Sequence, residues 1–124
     1  ISKLANIELP DDRVYDGYDI SPVLKGENAN PREEMYYYHG TKIFAARKGD
    51  YKLIYYDNNP DGYPQRMKEL EKPKLYNIQH DPSERFDIAE DSPDIIAEIE
   101  EMIEKHKATV EPVESELDKV IKNK

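Results

Sequence analysis

The chain has 124 residues, 27 acidic against 18 basic side chains, a formal net charge of −9 and no cysteine. This length suits one domain, typically about 100–150 residues. The acidic balance argues against binding to nucleic acid or an anionic membrane, which requires clustered lysine and arginine. The lack of cysteine excludes disulfides, cysteine-ligated zinc and a cysteine nucleophile. No apolar run approaches the ~18 residues of a membrane span.

The N-terminal part is predicted to be largely irregular. Ile1, Leu4 and Ala5 share a face at helical spacing, which predicts the end of a helix over residues 1–6. Residues 8–30 carry proline and glycine at short intervals, a pattern typical of turns and extended pieces. Their apolar side chains are too many for a free linker, so we predict an ordered strap. The first residue is not methionine, and we expect the chain to be a processed or excised piece.

Four strands are predicted to follow. Eight of the ten tyrosines lie between Tyr36 and Tyr76, so the core is expected in this part. Gly49-Asp50 has the chemistry of a two-residue hairpin turn. A polar insertion, residues 57–73, precedes the last strand and is expected to hold a helical turn near residues 65–70. The predicted strands are Met35–His39, Lys42–Lys48, Tyr51–Tyr56 and Lys74–Ile78.

One helix is predicted more firmly than any other element. Ser92 suits the N-cap, and Pro93 suits the first helical position, where its missing N–H costs nothing. An apolar stripe follows at helical spacing, and Pro112 stops the helix. A short second helix is expected over Glu114–Lys122. The stripe consists of Ile95, Ile96, Ile99, Met102, Ile103 and His106.

Together these elements predict an α+β fold, a four-stranded antiparallel sheet packed against one long C-terminal helix and preceded by an irregular strap. The predicted division is residues 1–30 for the strap, 31–110 for the α+β subdomain and 111–124 for a helical or disordered tail.

Among the three histidines, His39 is the best candidate for a binding site. It ends an aromatic strand at a loop, where a rigid scaffold tends to present binding residues, and Tyr38 stands beside it. His106 lies on the apolar helix stripe and is interpreted as structural. His80 precedes a turn and is expected to be solvated.

Two further patterns have a structural and a functional interpretation. Asp57, Asn59, Asp61 and Gly62 match the start of a calcium-binding EF-hand loop, but Lys68 occupies the position of the bidentate glutamate. We therefore interpret this segment as a hairpin extension and predict no metal site. The second pattern is a set of basic residues on adjoining strands, interpreted either as partners of nearby carboxylates or as an anion-facing strip. It consists of Lys42, Arg47, Lys48 and Lys52.

Four segments in order resemble the C-terminal end of a type I, arylsulfatase-like sulfatase of the alkaline phosphatase superfamily. Residues 7–26 read IELPDDRVYDGYDISPVLKG, similar to a stretch in which Leu-Pro leads to Asp-Gly, Pro, Leu and Gly. Residues 45–53 read AARKGDYKL, like the family's Ala-Val-Arg hairpin, and residues 75–84 read LYNIQHDPSE, like its Leu-Tyr-Asp-Leu and Asp-Pro run. The helix from Pro93 completes the match, which covers about residues 1–108.

The resemblance implies a parent enzyme that hydrolyses sulfate esters, with a sulfated carbohydrate as the expected substrate. It also implies calcium and a formylglycine residue in an N-terminal catalytic domain that would be the chain's partner, and export to the periplasm or beyond. The family's Cys/Ser-x-Pro-x-Arg pattern is absent from the sequence. We therefore expect the chain alone to be inactive, with no catalytic residues and with His39 and Tyr38 near the substrate.

Two other hypotheses remain open at this point. The first is that the chain is the same subdomain from a phosphodiesterase or phosphonate-ester hydrolase of the superfamily. A stand-alone acidic interaction module is the other alternative, and it predicts a strap that packs on its own helix. The subdomain hypothesis instead predicts an exposed apolar patch from Leu4, Leu9, Val23 and Leu24, through which a free fragment would dimerise.

Overall fold

The computed structural model describes residues 2–13, 15, 17–27, 31–58 and 67–113. Within it the chain divides into two compact units, Ile1–Glu33 and Glu34–Lys124, and each is described by itself below. The predicted helix Glu114–Lys122 lies outside the described residues, as does most of the predicted tail. No helix in the described part of the chain is long and apolar enough to cross a membrane.

The first unit is largely irregular, as predicted, with one short helix, α1, at Ser21–Leu24. The helix expected over residues 1–6 is wrong for the described residues 2–6, which form turns. The Ala5 N–H donates to the Ser2 carbonyl three residues back, a spacing tighter than that of an α-helix. Asn6 then adopts a positive φ of 54°, which ends any helical path.

Asp19 ties two parts of this first unit together. Its carboxylate accepts a hydrogen bond from the Ser21 backbone N–H at 3.0 Å and lies 3.3 Å from the Lys3 ammonium. Hydrogen bonds from Ser21, first from its side chain and then from its backbone, lower the pKa of Asp19 to about 2. The strap is therefore ordered by local polar contacts.

The second unit contains a four-stranded antiparallel sheet in the order β1-β2-β3-β4, which confirms the predicted fold class. β2 has its predicted bounds, and β1 and β3 are longer than predicted. Gly49, with φ of +56°, begins the predicted two-residue turn between β2 and β3. The strands are β1 at Glu34–His39, β2 at Lys42–Lys48, β3 at Tyr51–Asn58 and β4 at Met67–Asn77.

β4 begins seven residues earlier than predicted (Met67 against Lys74), so the helical turn expected near residues 65–70 is wrong where it is described. The register explains why the sequence concealed this strand. Ile54 pairs with Lys74 but Tyr56 pairs with Glu69, so β4 bulges out between these two pairs. Pro73 lies in the bulge, where its missing N–H removes no ladder hydrogen bond.

The core lies between this sheet and the second helix, α2, at Pro93–Lys107. Ala46, Leu53 and Leu75 occupy one cross-strand row, and all three are fully buried. The predicted helix stripe is confirmed, since Ile99, Met102 and Ile103 are buried while Ile95 and Ile96 pack against the same cluster. Ser92 holds the predicted N-cap position, but its side chain makes no capping hydrogen bond.

The segment after β4 satisfies the free edge of that strand. The Leu75 N–H donates to the Asp87 carboxylate at 3.1 Å, and the Ile88 N–H donates to the Leu75 carbonyl at 2.9 Å. Asp81 accepts hydrogen bonds from the N–H groups of Arg85 and Phe86, which fixes the loop predicted at Asp81-Pro82. A 3₁₀ turn at Ala89–Asp91, absent from the sequence prediction, leads into α2.

Candidate functional site

A groove opens at one end of the sheet. The antiparallel order brings the end of β1, the start of β2 and the end of β3 to this end, and the last turns of α2 form the opposite wall. The cavity has a volume of about 1010 Å³. Pockets of roughly 300–1,000 Å³ are typical of ligand sites, so the groove is large enough for a small organic molecule.

Aromatic rings and carboxylates dominate the groove wall. Tyr38, Tyr55 and Tyr56 contribute from the sheet, with Ile43 and Ile103 between them. Two lysines also reach it, of which Lys107 forms an ion pair with Glu104 at 2.8 Å. Four glutamates and two lysines line the wall, so its charged groups are mainly negative. These residues are Lys42, Glu69, Glu100, Glu104, Lys107 and Glu111.

Tyr55 carries the clearest electrostatic signature of this site. Burial of its ring, and secondarily the nearby carboxylates of Glu100 and Glu104, raises the pKa of the Tyr55 hydroxyl to about 12. Both causes disfavour ionisation of the Tyr55 hydroxyl, which therefore stays neutral to a higher pH than the hydroxyl of an exposed tyrosine.

This shift predicts a loss of stability in alkaline solution. Because the hydroxyl ionises near pH 10 in the unfolded chain and only near 12 in the folded one, unfolding releases a proton between these values. Stability is fully present below pH 10 and falls as the pH rises toward 12. We expect the melting temperature of Tyr55→Phe to fall less over this range than that of the wild type. Equal slopes in both proteins would contradict the assignment.

The structure places the two predicted site residues differently. Tyr38 lines the groove and its side chain is 44% exposed. His39 is also exposed and pairs with Lys42 across the β1–β2 hairpin, but it does not line the groove. Tyr38 lies two positions after Tyr36 in β1, so strand alternation places both rings on the face that carries α2, where each contacts the His106 ring. The register shift leaves Phe44 of β2 as an extra residue opposite this part of β1.

His106 holds this end of β1 against the helix. Its ring stacks on Tyr36 with centroids 3.7 Å apart and an angle of 7°, and it lies 5.9 Å from the tilted ring of Tyr38. Among the residues that the structure describes, none forms a hydrogen bond with the buried Nε2 atom of His106. The sequence placed His106 on the apolar stripe, but no pattern in the sequence pointed to the tyrosines that contact it.

Two of the four residues in the predicted basic strip form ion pairs within the unit. Lys48 lies 2.7 Å from Glu98, and Lys52 lies 2.6 Å from Glu84. Lys52 also lies over the ring of Tyr37, 5.1 Å from its centroid. These contacts support the interpretation that the strip balances nearby carboxylates, at least for Lys48 and Lys52.

The two ion pairs are expected to differ in their contribution to stability. The side chains of Lys52 and Glu84 are 18% and 32% exposed, against 42% and 62% for Lys48 and Glu98. We expect Lys52→Met to lower the free energy of unfolding by about 1–2 kcal/mol, because it leaves a half-buried carboxylate without its partner. Lys48→Met, as the matched exposed control, should change it very little. Urea unfolding of both variants measures the difference, and equal losses would contradict it.

The described residues contain no group of three or more histidine or carboxylate side chains that could hold a metal ion. Most of the EF-hand-like segment lies outside the described residues. Asp57 is described, and it pairs with Lys68 in the β3–β4 ladder. The Cys/Ser-x-Pro-x-Arg pattern is missing from the sequence. The described residues therefore do not fit a calcium site of the sulfatases that the chain resembles, and the sequence does not fit their formylglycine.

Comparison with known proteins decides the family. The sequence profile of the family described as the C-terminal region of aryl-sulfatase matches residues 30–124. The chain belongs to this family. The resemblance seen in the sequence is thereby confirmed, and the matched residues include the whole sheet, α2 and the groove.

Curated relatives of this sulfatase C-terminal region include complete sulfatases. The chain is 27% identical to an arylsulfatase of Hemicentrotus pulcherrimus, over 86% of the chain and 24% of that protein. It is 29% identical to human arylsulfatase A, over 71% of the chain and 20% of that protein. The chain thus spans about a quarter or less of the length of these relatives.

Solved structures share the fold. A chain from Bacteroides thetaiotaomicron, solved in work on the metabolism of multiple glycosaminoglycans, has a TM-score of 0.67 and 27% identity over 86% of this chain and 23% of that one. The sulfatase PsFucS1 from Pseudoalteromonas sp. has a TM-score of 0.73 at 22% identity, over 87% of this chain and 24% of that one, which is a likeness of fold.

Proposed function

We propose that this chain is the C-terminal part of a sulfate-ester hydrolase that acts on a sulfated carbohydrate, and that the catalytic residues lie in an N-terminal domain of the parent protein. The observation that carries the proposal is the family match over residues 30–124, together with the coverage of only about a quarter of each relative. The division into a strap at 1–30, a subdomain at 31–110 and a tail at 111–124 is part of this proposal.

The exposed side chains of the first unit support a partner domain. Leu4, Leu9, Val23 and Leu24 are 45–69% exposed. Apolar groups at this density in a short segment are typical of a surface that another domain covers. In the proposed parent this partner is the catalytic domain, and in the isolated chain a second copy would take its place as a dimer.

The chain's own residues leave calcium and formylglycine to the proposed partner domain. The sequence lacks the pattern from which formylglycine arises, and the described residues lack a carboxylate cluster for calcium. We therefore propose that the isolated chain does not hydrolyse sulfate esters. Its contribution is to bind and orient substrate at the sheet end, where His39 donates a hydrogen bond to the substrate and Tyr38 packs against it.

The reaction class is tested with the purified parent protein. Nitrophenyl sulfate and bis-nitrophenyl phosphate, a sulfate monoester and a phosphate diester with the same leaving group, are compared at equal concentration. We expect release of nitrophenol from the sulfate at a rate at least tenfold higher. A preference for the phosphate diester would favour the phosphodiesterase alternative and overturn the proposal.

By resemblance we also propose that the parent is periplasmic or secreted, which fractionation of expressing cells tests.

A further inference from the structure

We infer that the groove beside Tyr38 is a subsite for an uncharged sugar ring next to the sulfated one, and that its carboxylates select against substrates with additional sulfate groups. This inference rests on the proposed function and names the substrate class more narrowly. It comes from two observations, the fixed aromatic wall and the sign of the charge around it.

The aromatic wall is held in place before any ligand arrives. Tyr38 is 44% exposed, and on its covered side it contacts His106, which is itself stacked on Tyr36. A ring fixed by packing loses little conformational entropy when a ligand binds to its free face. The apolar C–H face of a sugar ring is a suitable partner for an exposed tyrosine, because its hydroxyls remain free to hydrogen-bond around the edge.

The charges that line the groove favour binding of a neutral sugar ring over a sulfated one. Within the part of the chain that the structure describes, Glu69, Glu100 and Glu111 line the groove without an ion-pair partner. Glu104 is balanced by Lys107, which leaves Lys42 as the remaining cation of the wall. Carboxylates only accept hydrogen bonds, so they match the donors of sugar hydroxyls and repel a sulfate, which is itself an anionic acceptor.

The test uses binding, measured by NMR titration of the 124-residue chain with galactotriose and with the same trisaccharide carrying one sulfate per ring. We expect galactotriose to shift the resonances of Tyr38, Ile43 and Glu100, with the sulfated probe at least about tenfold weaker. Replacing two carboxylates, Glu100→Gln with Glu111→Gln, should narrow that gap to about threefold or less at low salt.

Variants of Tyr38 test whether its ring contacts the sugar, separately from any effect on folding. Tyr38→Ala should weaken galactotriose binding by about threefold to tenfold, whereas Tyr38→Phe, which keeps the ring, should stay within about twofold of wild type. Tyr15→Ala, an exposed tyrosine of the first unit, is the matched control and should bind as wild type does. Equal or tighter binding of the sulfated probe, shifts located elsewhere, or no saturable binding at all would overturn the inference. Because this test measures binding and the proposed activity is measured by hydrolysis, a failure of the inference is distinguishable from a failure of the proposed function.

Discussion

Replacing Leu53 with alanine is expected to lower the free energy of unfolding by about 2–5 kcal/mol, the range measured for large-to-small changes in protein cores. Leu53 is fully buried in the central strand pair, in the row that also holds Ala46 and Leu75. The neighbouring Ala46 side chain is too short to fill the cavity that the substitution leaves, so the cavity stays largely open. A loss of this size is a large part of the 5–15 kcal/mol that stabilises a typical domain.

The matched control lies in the same unit. Val113 is 77% exposed, so Val113→Ala removes apolar volume from a site that remains in water. We expect its unfolding midpoint in urea to match that of the wild type within error, while Leu53→Ala unfolds at a clearly lower concentration or is unfolded at the start. Similar midpoints for the two variants would show that the sheet–helix interface is not the main source of stability.

The second large effect concerns substrate binding in the parent protein. His39→Ala is expected to lower kcat/KM on a sulfated oligosaccharide by about threefold to tenfold, because the hydrogen bond that the imidazole donates to the substrate is lost. Nitrophenyl sulfate lacks the further sugar rings that would contact the sheet end in this proposal, so its kcat/KM should change less than about twofold.

His80 provides the control for this prediction. It is exposed, like His39, but it lies in the turn after β4, at the other end of the sheet from the β1–β2 hairpin. His80→Ala should leave both substrates unaffected. If His39→Ala left the kinetics on the oligosaccharide unchanged, or if it slowed nitrophenyl sulfate equally, the assignment of His39 to the substrate rim would be wrong.

The fold was predictable where local chemistry and tertiary packing agree. β2 has its predicted bounds and α2 begins at its predicted residue, because alternating side chains, Gly49 and Pro93 each favour the structure that is also best packed. α2 ends at Lys107, five residues before Pro112. β4 was predicted too short because Pro73 and a run of charged residues disguise a bulged strand. Ser92 fits the N-cap by type, yet its hydroxyl makes no cap bond, since side-chain type alone does not determine backbone geometry.

The candidate site was predictable only in part. The end of an aromatic strand pointed to Tyr38 and His39, but the groove is also lined by Glu100 and Glu104, which lie outside the apolar stripe of α2. Their role depends on how α2 crosses the sheet. The stack of His106 on Tyr36 joins residues 70 positions apart, and no local pattern indicates such a contact. Long-range register, and not residue type, determines this part of the structure.

The most direct test of whether the catalytic residues lie outside this chain is an assay of nitrophenyl sulfate hydrolysis. It compares the parent protein with the purified 124-residue chain at equal molar concentration. We predict turnover by the parent and, for the chain alone, a rate equal to that of the buffer blank. Circular dichroism of the same samples verifies that the chain is folded during the assay. Turnover by the folded chain above the blank would contradict the proposed division of labour, and so would an inactive parent.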